Sequence, residues 1–145
     1  MNKDVIVNVL GLHIENAEGE NTNEPIEVVA PATYFFKNGK HYILYEEVEE
    51  GASNVTKNQI KITGDTKVAL RKKGVQTTEM IFEKAQKNFA NYQTPYGEIT
   101  LEVHTTYLKV QEEEERLVVD VEYTLGANET HLSECKLRMT VKNRD

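Results

Sequence analysis

The chain of 145 residues has a single cysteine, no tryptophan and only three prolines. One cysteine cannot form an internal disulfide, which excludes a fold held together by disulfide bonds. No apolar run approaches the ~20 residues that a membrane-spanning helix needs. The N-terminus lacks a basic segment followed by an uninterrupted apolar stretch, so we expect no secretory signal peptide. These absences predict a protein of the reducing cytoplasm that does not act at a membrane, with residues 1–145 forming a single domain.

Positive charge is scarce as well. The chain has 17 Lys and Arg against 24 Asp and Glu, which gives a formal net charge of −7. Nucleic-acid binding depends on clustered cations that neutralise phosphates, so this charge balance argues against nucleic acid as a partner. The densest basic group is Arg71-Lys72-Lys73, and three neighbouring cations are typical of a solvated turn.

The usual catalytic patterns are missing. The four histidines lie on different segments without the spacing of a metal site. There is no Gly-rich loop before a helix and no Gly-x-Ser-x-Gly sequence. Cys135 shares the sequence parity of Leu137 and Met139, which indicates a small buried side chain rather than a nucleophile. We therefore expect no enzymatic activity, no metal and no cofactor.

The chain does have a strict alternation of apolar and polar residues in its last third. Side chains alternate between the two faces of an extended strand, so this period of two predicts strands that bury one face and expose the other. Three successive segments of this kind describe an antiparallel meander. The predicted core residues in it are Ile99, Leu101, Val119, Val121, Leu137 and Met139.

Turn signals divide the rest of the chain into further strands. Asn38-Gly39 predicts a type I′ hairpin turn and Gly64-Asp65 a type II′ turn. The tetrapeptide at 94–97 predicts a turn that leads into a long strand. The segment 83–91 has no sustained apolar stripe, so we interpret it as a connection with at most one helical turn. The fold predicted is all-β: one antiparallel up-and-down barrel of about eight to ten strands.

Several short motifs, in the order in which they occur along the chain, resemble those of the YwiB-like family of small bacterial proteins. The resemblance covers nearly the whole chain and rests on Tyr45-x-Glu47, Arg71-x-x-Gly74, Met80-x-Phe82, Tyr92-x-Thr94-Pro95-x-Gly97 and Thr105. It implies a calycin-like barrel, similar to the barrels of lipocalins, without an established activity. Calycin barrels serve as binding proteins, inhibitors and enzymes alike, so the resemblance supports the fold more than a function.

The candidate site is a polar cluster in the mouth of the barrel. Tyr45 and Glu47 are two residues apart on one predicted strand, so they project from the same face. Arg71 could pair with Glu47 or with an anionic ligand, but the alternation directs Arg71 outward unless a bulge reverses the parity. A solvent-facing Arg71 is the simpler interpretation. The ligand-binding residues predicted at the mouth are Tyr45, Glu47, Arg71, Tyr92, Thr94, Tyr96 and Thr105.

Two functions remain open for such a barrel. The first is binding of a small, partly apolar or anionic ligand in the interior, which the seven tyrosines favour because they combine aromatic surface with a hydrogen-bonding group. The alternative is a non-enzymatic module for protein-protein interaction, with an interior filled by side chains. If the barrel does not close, its edge strands offer a route to a homodimer.

Overall fold

The computed structural model describes residues 1–16, 26–48, 55–74, 77–94, 97–127 and 130–144. In these ranges the chain forms ten strands. They are β1 (Asp4–Asn16), β2 (Ile26–Lys37), β3 (Lys40–Val48), β4 (Val55–Thr63), β5 (Lys67–Lys73), β6 (Thr77–Glu83), β7 (Lys87–Thr94), β8 (Gly97–Glu112), β9 (Arg116–Ala127) and β10 (Thr130–Asn143). None of the described residues forms a helix that is long and apolar enough to cross a membrane.

The ten strands form one antiparallel sheet that curls into a nearly closed barrel. Its order is β6-β5-β4-β3-β2-β1-β10-β9-β8-β7, so almost every strand pairs with its neighbours in sequence. The first and last strands pair with each other, from Val5 opposite Asn143 to Asn16 opposite Ser133. The two edges of the sheet are therefore β6 and β7, in the middle of the chain. The predicted all-β antiparallel barrel is confirmed.

The two ends of the barrel differ in their connections. At the turn end, short turns at 38–39, 64–66, 84–86 and 113–115 join the strands. Asn38 and Gly39 both have positive φ, 53° and 76°, which confirms the type I′ turn. At the opposite end, which we call the mouth, the connections at 17–25, 49–54, 75–76, 95–96 and 128–129 lie outside the described residues.

The core follows the predicted alternation with one exception. Val119, Val121, Leu137 and Met139 are buried, whereas Leu101 is half-buried and Ile99 is 43% exposed. The prediction for Ile99 was wrong because β8 extends beyond its neighbour there. The pairing of β8 with β9 begins only at Glu102 opposite Gly126, so no strand of the described residues covers Ile99 on that side.

The structure also differs from the prediction in the segment 83–91. It contains a turn at 84–86 followed by β7, rather than a connection alone. In β7, Ala90 is buried while Phe89 is exposed, so tertiary packing of an alternating strand overrides the weak helical preference of the segment. The backbone amide of Ala85 donates to the Thr105 carbonyl, and the Thr105 amide donates to the Gln86 carbonyl. These bonds fasten the turn to β8 where its pairing with β9 shifts.

Candidate functional site

Four polar side chains meet on the inner face at the mouth. We call Tyr45, Glu47, Asn58 and Lys72 the mouth cluster. Tyr45 lies directly opposite Asn58 on β4, and Asn58 directly opposite Lys72 on β5. Glu47 follows Tyr45 by two residues, so it projects from the same face. Three adjacent strands therefore supply a phenol, a carboxylate, an amide and an ammonium group at one place.

The hydrogen bonding of the mouth cluster is incomplete. Asn58 Nδ2 donates to Glu47 Oε1 over 2.9 Å, and Lys72 Nζ lies 3.9 Å from the same oxygen. Asn58 is buried, and its Oδ1 has no hydrogen-bond partner among the described residues. The Glu47 side chain is 30% exposed. The cluster thus offers a buried acceptor and a half-exposed carboxylate to an incoming molecule.

Tyr45 borders the apolar interior. Burial, and to a lesser degree the negative charge of Glu47, raise the pKa of Tyr45 to about 12. The phenol is therefore protonated at neutral pH, where it can donate or accept a hydrogen bond but cannot act as a base. One step deeper, directly paired positions carry four apolar side chains. They are Ile43, Ile60, Leu70 and Met80.

Arg71 does not join this cluster. The pairing of β4 with β5 runs without a shift from Lys57 opposite Lys73 to Thr63 opposite Lys67. The bulge needed to turn Arg71 inward is therefore absent, and Arg71 is exposed on the outer face. Lys72 approaches Glu47 in its place. Lys72 is an even number of residues from the buried Val68, so the alternation indicated that Lys72 projects inward. The same holds for Asn58, which is two residues from the buried Ile60.

A second polar group lies inside the barrel on β7 to β10. We call Asn88, Thr105, Tyr123, Ser133 and Cys135 the interior strip. Thr105 lies directly opposite Tyr123, and Tyr123 directly opposite Cys135. Thr105 is fully buried, yet its Oγ1 has no hydrogen-bond partner among the described residues, and neither has Asn88 Nδ2. Like Asn58, Thr105 is a buried residue with an unused hydrogen-bonding group, and Asn88 is a half-buried residue whose unused amide nitrogen is buried.

The thiol of Cys135 in the interior strip is a weak nucleophile. Burial raises the pKa of Cys135, although hydrogen bonds from Ser133 and Tyr123 partly oppose the shift. The Ser133 hydroxyl lies 3.5 Å from the sulfur. A protonated buried thiol is a poor nucleophile. The ring of Phe82 on β6 packs 4.6 Å from the ring of Tyr123, so the strip faces an aromatic side chain from the opposite edge of the sheet.

Of the remaining predicted site residues, two lie on other strands and two cannot be placed at the site. Tyr92 is half-buried on β7, and burial raises its pKa. Together with Thr105 it belongs to strands other than those of Tyr45 and Glu47. Tyr96 and the side chain of Thr94 lie outside the described residues. Of the predicted set, the structure thus brings together Tyr45 and Glu47, and it separates them from Arg71.

At the turn end, a hydrogen-bonded chain crosses the barrel; we call Tyr34, His41 and Glu112 the turn-end bridge. Tyr34 Oη lies 2.6 Å from His41 Nδ1, and His41 Nε2 lies 2.5 Å from Glu112 Oε1. A carboxylate only accepts, so Nε2 carries the proton and, in the neutral ring, Nδ1 accepts from the Tyr34 hydroxyl. The bridge joins β2 and β3 to β8, and no pattern in the sequence indicated it. No group of three or more His, Cys, Asp and Glu in the described ranges could hold a metal.

The chain is similar to a sequence family and to a solved structure. The sequence family described as "Domain of unknown function (DUF1934)" matches residues 8–139. Among solved structures, the YwiB protein from Bacillus subtilis is similar, with a TM-score of 0.79 and 20% sequence identity over 99% of this chain and 93% of that chain. At this identity the likeness concerns the fold. None of the curated proteins matches the chain.

Proposed function

We propose that this chain, which belongs to the DUF1934 family, binds a small molecule in its barrel without catalysing a reaction. The ligand enters at the mouth and is held by the mouth cluster, with its body against the apolar row that begins at Ile43 and Ile60. The interior of a barrel of about this size is just wide enough to be filled by side chains or to hold one small ligand.

The observation that carries the proposal is the set of unused polar atoms. Asn58 Oδ1, Asn88 Nδ2 and Thr105 Oγ1 are buried without a hydrogen-bond partner among the described residues, and all three residues lie on the inner face. An unpaired buried polar group costs about 1–3 kcal/mol. Native proteins contain few such groups, and each calls for an explanation. A bound molecule that pairs with them removes the cost.

The chemistry of the mouth cluster defines the ligand. Asn58 Oδ1 and the Glu47 carboxylate are both acceptors, so the ligand presents an N–H or O–H donor to them. The neighbouring Leu70 and Met80 are partly buried and pack against the core, which suits an apolar body. The ligand is therefore partly apolar with a donor group at one end, and Lys72 accommodates an additional oxyanion.

A second function, protein-protein interaction, has support of its own. β6 and β7 are edge strands of the sheet, and Phe89 on β7 is 63% exposed. An edge strand with an exposed aromatic side chain can pair with a strand of another molecule, including a second copy of this chain.

Native mass spectrometry of the purified protein separates the two functions. Interior binding predicts a monomer that carries one small molecule, which is lost on denaturation, and a reduced bound fraction in Asn58→Ala. The matched control is Asn91→Ala, because Asn91 is exposed on the outer face of β7, next to the buried Ala90. A bare dimer would support the interaction module, and a bare monomer in every preparation would contradict ligand binding.

A further inference from the structure

The outer face of the barrel carries a groove of about 730 Å³ that runs over β3, β4 and β5. Two rows of directly paired residues form its central part. One row is Leu44, Gln59 and Arg71, and the other is Glu46, Lys57 and Lys73. The pleat of a strand sends alternate side chains to opposite faces, so the side chains of these two rows point away from those of the mouth cluster. Tyr45 and Asn58, which belong to that cluster, also contribute to the lining of the groove between the rows.

Three cations of the outer groove have no carboxylate partner among the described residues. Lys57, Arg71 and Lys73 are exposed, and the ion pairs formed by the described residues use other cations. Glu46 lies opposite Lys57, and Glu79 opposite Arg71, but neither carboxylate forms an ion pair with them. Three positive charges thus remain available on neighbouring strands.

Lys57 and Lys73 also lie directly opposite each other. Like charges at directly opposed positions destabilise a sheet, and an anion placed between them reverses the sign of that interaction. The groove lining contains four cations but only two carboxylates, and one of these carboxylates, Asp4, lies 3.8 Å from Arg144. The groove is a cationic region on a chain whose net charge is −7.

We propose that the outer groove is a second binding site, for a small phosphate-bearing anion. Arg71 offers a planar fork that matches the oxygens of a phosphate, and Lys57 and Lys73 supply point charges from the adjacent row. Gln59 lies between Leu44 and Arg71 and adds an amide. A multiply charged phosphate gains more from three cations than a single carboxylate does, which compensates for the repulsion by the acidic remainder of the chain.

Titration with inorganic pyrophosphate, followed by calorimetry and by backbone amide NMR shifts, tests this site. We expect saturable binding at low salt that weakens as salt is added, with shifts centred on Leu44, Gln59 and Arg71. The variants Arg71→Gln and Lys73→Gln are expected to weaken binding about tenfold each, the scale of one charge-assisted hydrogen bond.

Two controls remove the same charge elsewhere. Lys67→Gln lies on the outer face at the other end of β5, and Lys109→Gln lies at an exposed position on β8. Both controls should bind pyrophosphate as the unmodified chain does. Absence of saturable binding, or equal weakening by Lys67→Gln and Arg71→Gln, would overturn the proposal. Succinate serves as the carboxylate probe, and tighter binding of succinate than of pyrophosphate would contradict the assignment to phosphate.

Discussion

The two ends of the barrel contain similar residue types but use them differently. At the turn end, the phenol of Tyr34, the imidazole of His41 and the carboxylate of Glu112 are hydrogen-bonded to one another. At the mouth, the phenol of Tyr45, the amide of Asn58 and the carboxylate of Glu47 leave one buried acceptor unused. A satisfied polar network stabilises and fixes a structure, whereas an unsatisfied one costs stability. The turn end therefore stabilises the barrel, and the mouth is where we propose that a ligand binds.

The largest effect should come from the core that both ends share. Val121 is 1% exposed, so Val121→Asp places an unpaired carboxylate among aliphatic side chains, and the expected cost of several kcal/mol approaches the whole stability of a domain. Circular dichroism should show an unfolded chain. Val29→Asp is the matched control, because Val29 is 59% exposed on the outer face, and it should melt as the unmodified protein does. A folded Val121→Asp variant would refute the observed strand register.

A smaller loss is expected when the turn-end bridge is broken. His41→Leu leaves the buried Tyr34 hydroxyl without its partner and removes the link to Glu112, which should lower the free energy of unfolding by about 2–3 kcal/mol. Chemical denaturation measures this loss. His104→Leu is the control, since His104 is exposed on β8. Equal effects of the two substitutions would show that the bridge does not stabilise the fold.

The mouth can be probed through the alkaline limb of the stability curve. Burial and Glu47 raise the pKa of Tyr45 from 10.0 to about 12, so its contribution to stability is complete below pH 10 and is lost as the pH rises toward 12. In Tyr45→Phe, the free energy of unfolding should fall less steeply between pH 10 and pH 12. Tyr107→Phe, at an exposed position on β8, should keep the slope of the unmodified protein. An unchanged slope in Tyr45→Phe would place its phenol in solvent.

Asn58→Leu tests the contrast with His41→Leu directly. The substitution removes the hydrogen bond to Glu47 but also the unpaired Oδ1, so the two contributions offset each other and the net change in unfolding free energy should stay within about 1 kcal/mol. It is measured by chemical denaturation in the absence of ligand. A loss as large as that of His41→Leu would mean that the mouth cluster is a structural network like the turn-end bridge.

The smallest effects concern the neighbouring cations of β5. Arg71→Ala should change the free energy of unfolding by less than about 0.5 kcal/mol, because Arg71 is exposed and forms no ion pair among the described residues. A double-mutant cycle between Lys72→Ala and Glu47→Gln should give a coupling of about 0.5 kcal/mol, as for other solvent-accessible pairs. The corresponding cycle with Arg71→Ala should give none. Coupling of Arg71 rather than Lys72 to Glu47 would reverse the assignment of faces on β5.

The sequence predicted the barrel because its determinants are local. The alternation around Val121 and the turn at Asn38-Gly39 can be predicted from the local sequence without tertiary information, and both are confirmed. Ile99 failed because its exposure depends on where a neighbouring strand ends. The segment 83–91 failed because the strand character of β7 comes from packing rather than from the preferences of its residues.

Only part of the candidate site could be predicted from the sequence. Tyr45 and Glu47 could be placed on one face because they share a strand, but the partner of Glu47 depended on parity across β5, where Lys72 rather than Arg71 points inward. The turn-end bridge connects His41 with Glu112, 71 positions apart, and no local pattern indicates a contact across a barrel. Long-range juxtaposition is the part of a site that single-sequence reasoning does not reach.

The most direct test of interior binding is a high-resolution crystal structure of the protein as purified, examined at Asn58 Oδ1. Our account predicts the electron density of an organic molecule with a donor atom within hydrogen-bond distance of Asn58 Oδ1 and an apolar part against Ile60 and Leu70. An ordered water on Asn58 Oδ1, with side chains filling the space between the apolar residues, would contradict it.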